Sequence, residues 1–155
     1  MSAIAIPPTD VAELLSSLLS REVEVEVGDA AKVEPHPATY RGLVGNDNTL
    51  MAVIGADLAF AHRSGGALAM VPAASVEERL DDPDADLLLF YREVANVLVR
   101  LVDEATDPHL RIDPGIEHEP DTLQTLISAG QTATRCQVSI DGYGLGTFGI
   151  WYRTS

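Results

Sequence analysis

DADLLLFYREVANVLVRLVDEA, residues 84–105, is the stretch whose periodicity decides the fold. At 100° per residue, Phe90, Tyr91, Val94, Val97, Leu98, Leu101 and Val102 fall in one broad apolar sector. Glu93, Asn96, Arg100 and Asp103 gather on the other side. The spacing predicts one long amphipathic helix with a single face for a core. Glu93 and Asn96, at i and i+3, project to the same patch of surface. A carboxylate and a carboxamide placed this way can dock a charged partner and hold a water molecule. Periodicity alone also accommodates a plain solvent face, on which Arg92, Glu93, Asn96, Arg100 and Asp103 exchange local contacts.

Working outward, Glu77 to Asp86 (EERLDDPDAD) is an acid-rich approach to the helix, favourable near its positive N-terminal end. Ser75, with Glu78 three residues on, reads as the N-cap of a short helix. Asp57 to His62 begins another, expected to end around Arg63-Ser64-Gly65-Gly66; residues 67–71 fit helix or strand. TYRGLV (39–44) and TLMAVI (49–54) flank Gly45-Asn46-Asp47-Asn48 and predict a hairpin. REVEVEV (21–27) alternates charged with apolar residues, the pattern of a half-buried strand. Thr9 reads as the N-cap of a first helix over Val11 to Leu19.

Beyond Ala105, the prolines 108, 114 and 120 break up the pattern. His109 to Ile112 reads as a short strand and Asp121 to Ile127 as a short helix. Thr134 to Ile140 and Thr147 to Arg153 read as strands joined by Asp141-Gly142-Tyr143-Gly144-Leu145-Gly146. The expectation is an α+β fold, one domain over residues 1–155, with a largely antiparallel sheet packed against the long helix.

The 155 residues suit one core, and 46% apolar with 22% charged residues is an ordinary globular balance. No apolar run approaches the ~18–20 residues that span a bilayer. The start MSAIAIPPTD lacks a signal-peptide pattern, so the expected location is the cytoplasm, without a membrane partner. The net charge of −14 disfavours nucleic acid, whose phosphates bind basic patches. Cys136 is the sole cysteine, which excludes an intramolecular disulfide and leaves a buried thiol as the expectation.

Other motifs carry less chemistry. GYGLG (142–146) lacks the lysine and hydroxyl of a phosphate loop and sits between strand patterns, as a turn would. Asp107, His109, Asp113, Glu117, His118 and Glu119 have metal-binding chemistry but match no ligand spacing; a solvated loop explains them equally. No serine lies in a nucleophile-elbow context.

REVANV (92–97) and the order of elements from about Leu14 to Tyr152 resemble the CheC/CheX family of chemotaxis phosphatases. The family hallmark is Glu-x-x-Asn on a long helix, matched by Glu93-Val94-Ala95-Asn96. The resemblance implies a phosphatase acting on the aspartyl-phosphate of a response-regulator receiver domain of the CheY kind. It implies that Asn96 positions the attacking water and Glu93 docks the receiver. It implies no cofactor of the chain's own, since the receiver supplies Mg²⁺, and it allows a homodimer. CQVSI and TFGIWY are expected to offer a sheet edge for one. Where the family continues Asn-x-x-x-Gly, this chain has Arg100. It also has a single Glu-x-x-Asn, as in CheX rather than CheC. The competing reading is a non-catalytic interaction domain on the same scaffold.

Overall fold

The computed structural model describes residues 6–27, 33–45, 47, 49–105, 111–112, 125–127 and 133–152. Helix α1 (Pro8–Leu19) leads to strand β1 (Val23–Val27), and a 3-10 turn (Pro37–Thr39) precedes β2 (Arg41–Val44) and β3 (Leu50–Ala56). Helices α2 (Leu58–Leu68), α3 (Ala73–Glu77) and α4 (Ala85–Ala105) follow, then β4 (Arg111–Ile112), β5 (Ala133–Ile140) and β6 (Gly144–Tyr152). The strands form one six-stranded sheet in the order β1-β5-β6-β3-β2-β4, and every pairing is antiparallel. The α+β class, with an antiparallel sheet and one dominant helix, is as the sequence predicts.

Strand alternation divides the core in two. Leu43, Ile54, Cys136, Val138, Phe148, Ile150 and Tyr152 join the buried residues of α1, α2 and α4 in the main cluster. Val44, Val53 and Trp151, each one residue out of phase, form a smaller cluster with Leu50 and Leu126 on the opposite face. In β1, Val23 is buried while Glu24 and Glu26 are exposed, so this edge strand shows water its carboxylates.

Helix α4 packs against α2 and α1. Gly65 lets α2 come that close: a Cβ there would overlap the Leu87 carbonyl oxygen and lie 3.0 Å from Tyr91 N. The expected stop at Arg63-Ser64-Gly65-Gly66 is therefore a misreading. The glycines are tolerated mid-helix because tertiary contact outweighs their roughly 1 kcal/mol propensity cost, and α2 continues to Leu68. Asp57 caps α2, accepting from Phe60 N–H at 2.7 Å, and its carboxylate also meets the Thr147 hydroxyl at 2.8 Å.

Other boundaries shift for identifiable reasons. Helix α1 begins at Pro8 rather than after Thr9, with proline in the first turn where its missing N–H costs nothing. Ser75 is not a cap: α3 starts at Ala73 behind Pro72, so Ser75 lies within the helix. The β5–β6 connection tightens to a turn in which Gly142 and Gly144 take φ of 83° and 110°, as the turn reading of GYGLG requires. The expected C-terminal sheet edge is absent. β5 is flanked by β1 and β6, and β6 by β5 and β3, so both are interior and the edges of the described sheet are β1 and β4. Among the described residues no helix is long and apolar enough to cross a membrane.

Candidate functional site

The two faces of α4 behave oppositely. Leu87, Tyr91, Val94, Ala95, Leu98, Val99 and Val102 are buried, whereas Asp86, Leu89, Phe90, Arg92, Glu93, Asn96 and Arg100 are exposed. Asn96 and Glu93 therefore point outward from a helix held along its back, the arrangement their spacing predicts. Residues three and four apart have Cβ atoms roughly 5–6 Å apart, so the two head groups serve one small area.

The buried side fixes that area. The Tyr91 hydroxyl donates to Thr39 O at 2.9 Å, tying α4 to the 3-10 turn. Its ring meets Phe60 edge-on at 6.3 Å, and Phe60 packs on Phe148 of β6 at 5.1 Å. Burial pushes the Tyr91 phenol well above its ordinary value, so it remains a neutral donor. At the helix start, Asp84 accepts from Leu87 N–H at 3.0 Å, and buried His62 of α2 accepts from Asp84 N–H at 3.1 Å through Nε2. The N–H bond to the Asp84 carboxylate holds that group below its ordinary range. Ion pairs Arg63–Glu77 (2.8 Å) and Arg79–Asp84 (3.4 Å) brace the turns before α4.

One apolar side chain departs from the sequence reading. Phe90, assigned to the core sector, is 39% exposed, and Leu89, one residue earlier, is 59% exposed. The buried sector is rotated toward Ala95 and Val99, because α4 meets α1 and α2 side by side rather than one surface. The apolar character of Ala95 and Val99, just outside the predicted stripe, is the signal in the sequence for this rotation. The exposed face thus runs from Leu89 and Phe90 past Glu93 and Asn96 to Arg100. Beyond it, Arg100 and Leu101 line an open groove of about 410 Å³ with Asp10, Glu13, Leu14 and Ser17 of α1.

No group of His, Cys, Asp or Glu among the described residues is placed to hold a metal ion. Asp107, His109, Asp113, Glu117, His118 and Glu119 lie outside the described residues. Cys136 is buried in β5, and burial pushes its thiol up to about 12, so it is held as the inert thiol expected from the sequence.

No protein-family profile matches the chain, and no curated protein matches it. Solved structures do. FliM in the FliM–SpeE complex of H. pylori superposes with a TM-score of 0.57 at 11% identity, over 94% of this chain and 80% of that one. FliY of Thermotoga maritima gives 0.54 at 12% identity, over 95% and 84%. CheX in the CheX-CheY-BeF3-Mg+2 complex of Borrelia burgdorferi gives 0.50 at 16% identity, over 97% and 100%. At such identities the likeness is one of architecture. Helix, sheet and strand order together give this chain the fold that it shares with CheX, FliM and FliY.

Proposed function

We propose that the chain is a CheX-like phosphatase that hydrolyses the aspartyl-phosphate of a CheY-like receiver domain, with the exposed face of α4 as its working surface. The observation that carries this reading is the joint exposure of Glu93 and Asn96 on a helix whose opposite side is anchored in the core. CheX, one of the fold neighbours, is found with CheY, BeF3 and Mg+2.

The chemistry asks little of such a protein. An acyl phosphate on a receiver, with its Mg²⁺, lacks only an ordered nucleophile. A carboxamide accepts a hydrogen bond from water through its oxygen while its NH₂ faces a phosphoryl oxygen. Asn96 presented from a rigid helix holds that water in line, the contribution an amide makes in small GTPases. Glu93, one turn back, pairs with a cation beside the receiver's phosphorylation site and fixes the approach. Mg²⁺ belongs to the receiver, and the chain brings no cofactor of its own.

A specific observation favours a second reading. FliM and FliY superpose with higher TM-scores than CheX. The same face would then bind a partner without hydrolysis. Phosphate release from receivers charged with acetyl phosphate separates the two. The first reading expects acceleration by the wild type and the bare receiver rate with Asn96→Ala. Equal rates for wild type and variant would remove it.

A further inference from the structure

Asn96 stands on a stripe of α4 between two opposite charges. Glu93 lies one turn before it and Arg100 one turn after it, and all three side chains are exposed. Arg100 has no ion-pair partner among the described residues, although Asp10 and Glu13 line the groove it borders. A free guanidinium beside the candidate water-positioning amide is a chemical resource that the function above does not use.

Its direction matters as much as its charge. Helical side chains lean toward the helix N-terminus and cover the turn before their own Cα. By that rule the Arg100 stem leans toward the turn that carries Asn96, at the border of the groove shared with α1. Arg92, the other exposed cation on this stretch, sits one turn before Asn96 and leans away from it. The whole chain also carries a net charge of −14, which opposes the approach of a phosphoryl dianion. A cation at the point of contact offsets that repulsion where it counts. If Glu93 takes the partner's cation on one side of Asn96, phosphoryl oxygens on the other side would lie toward Arg100, one turn further along the helix.

We infer that Arg100 is a catalytic residue of this site, its guanidinium donating to the equatorial phosphoryl oxygens while Asn96 orients the water; the inference rests on the phosphatase reading. In the step, a water oxygen bonds to phosphorus and the bond from phosphorus to the aspartyl oxygen breaks. The acyl phosphate dianion and water become a carboxylate and dihydrogen phosphate, both water protons ending on the phosphate. The planar fork of an arginine matches two of the oxygens across which charge spreads.

The test compares full-length wild type with the Arg100→Ala, Arg100→Lys, Arg92→Ala and Asn96→Ala variants on receivers charged with acetyl phosphate. Alanine and lysine are good helix formers, and circular dichroism verifies that each variant is folded. Arg100→Ala is expected to lower kcat about hundredfold with little change in KM, as loss of one transition-state donor does. Arg100→Lys recovers part of that, and Arg92→Ala keeps the wild-type rate. Affinity for a receiver loaded with BeF3 stays level in Arg100→Ala, whereas affinity for one loaded with aluminium fluoride, which mimics in-line transfer, falls. An unchanged kcat in Arg100→Ala, a loss confined to KM, or equal losses in Arg92→Ala and Arg100→Ala would overturn the role of Arg100. Asn96 would keep its role in each of those cases if Asn96→Ala is inactive. A wild type that accelerates nothing would remove the phosphatase reading and the role of Arg100 together.

Discussion

The imidazole of His62, fully buried on α2, accepts the backbone N–H of Asp84 at 3.1 Å and so ties α2 to the first turn of α4. The bond requires an unprotonated Nε2. Desolvation lowers the His62 pKa below 6.5, reinforced by the charges of His36 and Arg79 and opposed by the Asp84 carboxylate and the Arg79 carbonyl. The folded state thus binds this proton less readily than the unfolded one. Stability is full above pH 6.5 and declines as pH falls below it, toward the lower folded-state value. Asp84, whose pKa is lowered, adds a separate loss only as pH falls below 3.8. Denaturant titrations between these limits are expected to show a slope for wild type that His62→Gln flattens. An identical slope in both proteins would sink the assignment.

The contact between Gly65 and the backbone of Leu87 and Tyr91 sets the distance between α2 and α4. Gly65→Ala is expected to destabilise the fold by about 1–3 kcal/mol through overpacking, despite alanine's better helix propensity. Urea denaturation measures this. A stabilised variant would mean that the two helices separate more easily than their packing implies.

Glu93 is exposed and outside the core, so its removal leaves the fold unchanged and isolates the docking role proposed for it. Glu93→Ala is expected to weaken binding to a BeF3-loaded receiver by about tenfold, or about 1.4 kcal/mol, and to reduce kcat less than Asn96→Ala does. Isothermal titration calorimetry reads the affinity. A variant that binds as tightly as wild type would deprive Glu93 of its docking role.

Cys136 lies between β1 and β6 with its thiol pushed up to about 12 by burial. Reaction with a thiol reagent is expected to be negligible at neutral pH and to appear with global unfolding in denaturant. Rapid labelling of the native protein would show that β5 opens independently of the rest.

The candidate site was legible in the sequence to an unusual depth because it lies on one helix. A 3.6-residue period fixes which side chains share a face, so Glu93 and Asn96 could be placed together without knowing what packs behind them. Strand alternation likewise announced β1 as a half-buried strand, with Val23 inside and its glutamates outside. Less legible were features set by what a residue touches. Gly65 and Gly66 look like a helix end until α4 is laid against them, and Ser75 looks like a cap until Pro72 starts the helix earlier.

What residue order alone determined is the amphipathic helix, the antiparallel strands and the outward pairing of a carboxylate with a carboxamide, since these follow from local periodicity. Only the tertiary structure decided the rest. It put β5 and β6 inside the sheet rather than at its edge, turned Phe90 out of the core, and left Arg100 without an ion-pair partner among the described residues. Each of these depends on which elements become neighbours, and no local pattern carries contacts between segments so distant along the chain.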